Sequence, residues 1–406
     1  MAVGLKAPQV LAPVPGVRLG SIEANIKRPN RLDLTLFELA ANSICAAVFT
    51  QNQFCAAPVT IARKHLASRA PRYLLVNTGY ANAGTGADGL ARARLCCEEV
   101  ARLTGCAEEE VLPFSTGVIG EDLPTPRLAA ALPALLDRLR ADGWTTAAQG
   151  IMTTDTVAKG VSQHFEVGGR SCVITGIAKG SGMIAPNMAT MLAFLATDAA
   201  VNGAVLRHAL ESAVSHTFNR VIVDGDTSTN DACVLVATGQ AGNVPIDQFS
   251  GSAYQTFADA VSAVCLTLAQ ALARDGEGAT KFMTVDVTGG RDRDECFRVA
   301  QAVANSPLVK TAFFASDPNW GRILAAVGRA GLTNLAIDQV EISLGNVCIV
   351  RGGQRAQEYS DAAGRTVMAN DDITIHIELG RGSAQDTCWT CDFSYDYVRI
   401  NAEYRT

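Results

Sequence analysis

The 406-residue chain is poor in aromatics (6%) and in charge (18%), has five histidines, and carries no block of clustered Lys or Arg. Its charge sums to −6, so a nucleic-acid partner, which needs grouped cations to neutralise phosphates, is not expected. No run approaches the roughly 20 apolar residues expected of a membrane span. The greasiest stretch, 183–196, is broken by Pro186, Asn187 and Thr190, and the N-terminal stretch has a lysine and prolines where a secretory signal keeps a continuous apolar core. Neither membrane association nor export is expected. Twelve cysteines are too dilute for a disulfide scaffold and read as reduced thiols of a cytoplasmic protein.

Other absences remove whole chemistries. The histidines, at 65, 164, 208, 216 and 376, stand in no triad-like or metal-ligand spacing, and no Gly-x-Ser-x-Gly elbow occurs. Gly84-Thr-Gly-Ala-Asp-Gly89 has dinucleotide-fingerprint spacing but begins too far after its strand and lacks the later acidic ribose partner. Gly276-Glu-Gly-Ala-Thr-Lys281 has Thr280 and Phe282 where a phosphate loop needs Gly and Ser or Thr. Cys388-Trp-Thr-Cys391 is a single pair with no helix start after it and reads as structural.

What is present is a chain rich in glycine (36 residues) in which short apolar runs alternate with longer amphipathic ones. Strands are expected at 72–77, 111–115, 171–177, 190–197, 282–288, 340–344, 347–350 and 372–379, and a strand-like run at 395–400. Helices are expected at 90–103, 127–139, 204–213 and 254–273. The result is a mixed α/β architecture with sheets packed under helices.

One segment stands apart. Lys179-Gly-Ser-Gly-Met-Ile-Ala-Pro-Asn-Met-Ala189-Thr190 places a lysine in a Gly-rich turn and a small residue before a threonine that opens an apolar run. Read plainly, this is a loop entering a core strand. Read chemically, the Thr190 hydroxyl attacks the preceding carbonyl, and hydrolysis of the ester leaves Thr190 with both a hydroxyl and an α-amine. With an ordinary pKa of about 7.7–8.0, that amine can serve as base for its own hydroxyl.

Further motifs occur in order: Ser115-Thr-Gly-Val-Ile-Gly120, Ile151-Met-Thr-Thr-Asp-Thr156, Asp224-Gly-Asp-Thr-Ser-Thr-Asn-Asp231, Glu277-Gly-Ala-Thr-Lys281, Ser316-Asp-Pro-Asn-Trp-Gly-Arg322 and Asn401-Ala-Glu-Tyr-Arg-Thr406. Together with Lys179–Thr190, they make the chain resemble the ornithine acetyltransferase family of arginine biosynthesis over nearly its whole length. The resemblance implies an N-terminal-nucleophile-like acyltransferase fold, with sandwiched mixed sheets between helical layers. It implies autocleavage between Ala189 and Thr190 into an α chain (1–189) and a β chain (190–406), assembling as two of each. By the same resemblance, Thr190 is the nucleophile, and Thr116 and Gly117 form an oxyanion hole. Thr153, Lys179, Thr190, Glu277, Asn401 and Thr406 bind substrate. The implied reaction is ping-pong acetyl transfer from N2-acetylornithine to glutamate, with no metal or cofactor and with acetyl-CoA left open as a second donor. Lys179 is expected to meet a substrate carboxylate and Glu277 the ornithine ammonium. The competing enzyme reading is a self-processed aminopeptidase or amidohydrolase; a non-enzymatic binding protein is the third class.

Overall fold

The structure, a computed structural model, describes residues 2–185 and 191–403. Ala189, Thr190 and Thr406 therefore lie outside the described residues.

Three sheets organise the chain. The first runs in the order Val17–Ile22, Leu34–Leu39, Tyr73–Tyr80, Val111–Val118. Its first two pairings are antiparallel and its last is parallel, so the chain crosses over through the Gly86–Thr104 helix before Val111–Val118. The second sheet has the order Ile44–Phe49, Ala232–Ala237, Leu192–Thr197, Arg170–Lys179, Lys159–Val167. Every residue of Leu192–Thr197 and Ala232–Ala237 is buried, which explains their continuous apolar character: both faces of the sheet are covered.

Alternation assigns the faces. Phe37, Leu74, Val76 and Phe114 of the first sheet meet Phe194, Leu192, Val234 and Val236 of the second in one core. The Phe194 ring lies 5.1 Å from both Phe37 and Phe114, an aromatic knot whose members each contribute about 1.5–3 kcal/mol by burial. The opposite face of the first sheet, with Leu34, Leu36, Tyr73 and Leu75, packs on the Gly86–Thr104 and Thr125–Leu136 helices. The outer face of the second sheet, with Ala193, Leu195, Cys233 and Leu235, packs on the Gly203–His216 and Ser252–Arg274 helices. Two sheets are thus sandwiched between helical layers, as the resemblance implies.

A seven-stranded sheet built around Phe282–Gly290, Asp372–Glu378 and Ala384–Cys391 forms the remaining body under the Arg293–Ala304 helix. Cys388 and Cys391 are buried within it; burial pushes the Cys391 thiol up to about 11 and that of Cys388 higher still. All twelve cysteines are free.

Two expectations need correction. The Ser252–Arg274 helix is long and apolar enough to cross a membrane, contrary to the reading that no segment comes near. Its Phe257, Val261, Val264, Leu268 and Leu272 are instead buried against the second sheet. The 395–400 run is not a strand but part of the helix Tyr395–Ala402, started by Ser394, whose side chain accepts from the Asp396 N–H.

Residues on the two sides of position 190 are interleaved. Arg170–Lys179 pairs antiparallel with Leu192–Thr197, ending at Lys179 opposite Leu192, and Ile44–Phe49 pairs with Ala232–Ala237. The segments 1–189 and 190–406 therefore share one sheet and two cores rather than forming separate domains.

Candidate active site

Stacking the first sheet on the second brings the C-terminal ends of Val111–Val118 and Arg170–Lys179 side by side. Thr116 and Gly117 sit near the end of the former, and Lys179 is the last residue of the latter. Two loops and a helix complete the surroundings: Thr153 follows the short helix Trp144–Gly150, Glu277 follows Ser252–Arg274, and Asn401 comes from the final helix. All six residues line one cavity of about 290 Å³. Met191, the covalent neighbour of Thr190, lines it too, with Gly182, Met183, Asn230 and Asp231.

Gly117 occupies a position only glycine tolerates. Its φ is +137°, and a Cβ there would stand 2.3 Å from the Gly79 carbonyl carbon of the neighbouring strand. Two residues earlier, Ser115 is fixed from two directions: its hydroxyl donates to Asn77 Oδ1 at 2.6 Å, and its carbonyl accepts from Asn230 Nδ2 at 2.9 Å. Asn230 also donates to the Ala81 carbonyl at 2.6 Å, so the 224–231 motif braces the strand end that carries Thr116.

Lys179 Nζ donates to Thr116 Oγ1 at 3.2 Å, which leaves the threonine's own proton for donation into the cavity. Burial pushes the Lys179 ammonium below its ordinary pKa and Lys159 adds to this, while Asp155, Asp231 and Glu277 oppose the shift. Across the cavity, Asn401 Nδ2 donates to Glu277 Oε2 at 2.8 Å. The Glu277 carboxylate lies so close over Gly182 that a Cβ there would be 2.4 Å from Cδ. Burial, together with the Asp224 and Glu277 carboxylates, raises the pKa of Tyr397 on the final helix.

The loop that follows Lys179 is clamped short of Pro186. Asp224 accepts from the Met183 N–H at 2.6 Å and the Ile184 N–H at 2.8 Å, holding Met183 at a left-handed φ of +56°. Sequence reasoning gave Asp224, Asn230 and Asp231 no separate role. The signal was there in the Asp224–Asp231 motif, but nothing in its spacing indicates that it braces two other segments.

A second cavity of about 370 Å³ adjoins the first and shares Gly117, Val118, Thr153 and Thr154 with it. Its wall carries Lys27, Arg28 and Arg31, with Asp33 and Glu403. Among the described residues no three His, Cys, Asp or Glu side chains group as a metal site.

The model of the ArgJ family matches residues 18–406. The chain belongs to the ArgJ family. It is 54% identical over 406 residues, all of both chains, to a protein of Pseudomonas syringae pv. tomato named arginine biosynthesis bifunctional protein ArgJ. A protein of that name from Methylococcus capsulatus is 56% identical over 396 residues, 98% of this chain and 97% of the other. Among solved structures, an ArgJ of Bacillus halodurans is 37% identical, covering 50% of this ArgJ-family chain and 95% of the other, with a TM-score of 0.49. An ornithine acetyltransferase of Mycobacterium tuberculosis complexed with ornithine is 32% identical, covering 43% of this chain and 93% of the other, with a TM-score of 0.37.

Proposed function

We infer that this ArgJ-family chain is an acetyltransferase of arginine biosynthesis that moves an acetyl group from N2-acetylornithine to glutamate through Thr190. The observation that carries the assignment of residues is the convergence of Thr116, Gly117, Thr153, Lys179, Glu277 and Asn401 on one cavity that Met191 also lines.

Thr190 Oγ first attacks the Ala189 carbonyl, the peptide becomes an ester, and water releases the two chains. The new α-amine takes the hydroxyl proton as Oγ attacks the acetyl carbonyl of acetylornithine. The tetrahedral oxygen receives hydrogen bonds from the Thr116 hydroxyl and the Gly117 N–H. When the C–N bond breaks, the proton passes to the departing amine, and ornithine leaves behind acetyl-Thr190. The glutamate amine then attacks that ester and regenerates Thr190. Donors aimed at such an oxyanion are worth about 10²–10³ in rate each.

Lys179 supplies a cation for the α-carboxylate that both amino acids carry, and Glu277 an anion for the ornithine ammonium. Glutamate has no side-chain ammonium, so Glu277 weighs on the first half-reaction more than on the second. The three cations of the adjoining cavity support acetyl-CoA, with its phosphates, as a second acetyl donor. The steps above require no metal. The shared central sheet supports α and β chains that stay together after cleavage, and we extend this to an assembly of two of each, about twice 42.6 kDa. Twelve free thiols support a reducing, cytoplasmic setting.

The test is direct. Mature protein is expected to run as two bands, the second beginning at Thr190, and Thr190→Ala to remain one inactive chain; any other start point removes the cleavage assignment. Acetylglutamate formed from acetylornithine without free acetate distinguishes a transferase from an amidohydrolase. Replacing acetylornithine with acetyl-CoA reports the second donor.

A further inference from the structure

Behind the cavity wall lies a charged cluster whose three side chains are not themselves part of the lining. Lys159 Nζ stands 2.7 Å from Asp155 Oδ1 and 2.6 Å from Asp275 Oδ2, and the three side chains are 0–1% exposed. Burying three charges is a poor way to gain stability, since well-packed apolar replacements are often neutral or better. The carboxylates hold something besides the lysine.

Asp155 accepts from the Thr153 N–H at 2.9 Å and from the Gly180 N–H at 2.7 Å. Asp275 accepts from the Thr156 N–H at 3.0 Å, the Thr156 hydroxyl at 2.5 Å and the Val157 N–H at 3.3 Å. The Asp275 carbonyl takes the Ser181 hydroxyl at 2.5 Å, and the Ser181 carbonyl takes the Glu277 N–H at 2.9 Å. Three segments distant in sequence (153–157, 179–182 and 275–277) are thereby fastened to one buried centre. They are the segments that present Thr153, Lys179 and Glu277 to the cavity.

We propose that Asp155, with Lys159 and Asp275, is a positioning residue that fixes these three substrate-binding loops in register and holds a negative charge beneath Lys179. The proposal rests on the acetyltransferase reading. Two carboxylates and one ammonium leave the cluster at −1. The charged groups facing Lys179 are Asp155, Lys159, Asp231 and Glu277, so of the anions only Asp155 belongs to this cluster. Without its charge the buried Lys179 ammonium is held less firmly, and its proton leaves at lower pH. The cation that meets a substrate carboxylate is then lost earlier as pH rises.

The experiment compares wild-type and Asp155→Asn enzyme, both purified as processed protein, in steady state with acetylornithine and glutamate over about pH 6–10. The asparagine keeps the shape but removes the charge and part of the acceptor set. The KM for acetylornithine is expected to rise about tenfold or more while kcat stays within about threefold, because hydrogen bonds to charged groups are lost in positioning rather than in chemistry. The alkaline fall of kcat/KM is expected at lower pH than in wild type; substrate titration is common to both enzymes and cancels. An unchanged KM and an unchanged alkaline limb would overturn the proposal. So would a fall in kcat alone alongside a lower melting temperature, the mark of a smaller folded fraction. Should Asp155→Asn fail to fold, Thr156→Val, which removes only the hydroxyl bond to Asp275, decides the matter: a KM about threefold higher supports the clamp, and a wild-type KM rejects it. Wild-type protein that transfers no acetyl group would sink the functional reading instead, a separate and recognisable outcome.

Discussion

Gly182→Ala adds one methyl group and makes a sharp probe of Glu277. The φ of Gly182 lies outside the left-handed region, so alanine brings no backbone strain. Its Cβ, however, would stand 2.4 Å from Glu277 Cδ and Oε2 and 2.6 Å from Oε1. Ordinary contact begins near 3.4 Å, so the carboxylate must retreat by 3.4 − 2.4, about 1 Å. The Glu277 backbone cannot follow freely, because its N–H is held by the Ser181 carbonyl at 2.9 Å. The side chain moves alone, and the 2.8 Å bond from Asn401 stretches beyond hydrogen-bonding range. An ammonium that relied on the original carboxylate position then loses a charge-assisted bond of about 1.5–3 kcal/mol, or about 10- to 150-fold in kcat/KM. The loss is expected for acetylornithine in a single-turnover measurement of ornithine release, with transfer from acetyl-Thr190 to glutamate much less affected. The melting temperature is expected to stay close to wild type, since the atom displaced is the far end of a flexible side chain. Gly182→Ala with wild-type kcat/KM for acetylornithine would refute the pairing of Glu277 with the ammonium.

Thr116→Ala is expected to fold normally and to slow both autocleavage and acetyl transfer by about tenfold or more, measured by band conversion on gels and by steady-state rates; unaltered rates for both would remove it from the oxyanion hole. Deleting 401–406 removes the Asn401 contact to Glu277; it is expected to spare cleavage, raise the KM for acetylornithine and increase the acetate-to-acetylglutamate ratio, as water gains access to acetyl-Thr190. The Cys388 and Cys391 thiols are expected to resist alkylation at pH 8 in native protein, because burial raises both pKa values and each stays protonated there. Rapid labelling of either, or loss of activity on chelation, would restore a redox or metal role.

The central strands were the easiest part of the fold to read. Leu192–Thr197 is apolar at every position but its last, and a strand covered on both faces has no reason to alternate. The Tyr395–Ala402 helix was misread because six residues cannot separate a period of 2 from one of 3.6, and Tyr395 and Tyr397 happen to mimic alternation. What decides the helix lies outside the run: the Ser394 cap, and the packing of Tyr397 against Phe393 at 4.6 Å between ring centres. For the cavity the limits are of another kind. Thr116, Thr153, Lys179, Glu277 and Asn401 are each ordinary polar residues near loops, and no local periodicity links them; only the order of whole motifs singled them out. Asp155 and Lys159 stayed invisible because an acid four residues before a lysine is commonplace on any surface. Their meaning comes from Asp275, more than a hundred residues later in the chain.

The length of the loop between Lys179 and Leu192 ties the fold to the chemistry. Antiparallel neighbours need as few as two to five linking residues, yet here positions 180–191 intervene between paired strand ends. The surplus is put to use: Gly180 and Ser181 anchor to the buried aspartates, Gly182 makes room for Glu277, and Met183 and Ile184 hang on Asp224. Beyond the loop, the Met191 carbonyl accepts from Ala232 at 3.0 Å and the strand begins. The proposed cut at 189/190 would therefore fall between two independently fastened ends. Each end is attached to the same sheet through its own ladder, so breaking the peptide would free an amine without releasing either chain from the core. A nucleophile of the proposed kind would need no histidine beside it, because its own α-amine would serve as the base, and among the described residues none of the five histidines lines the cavity.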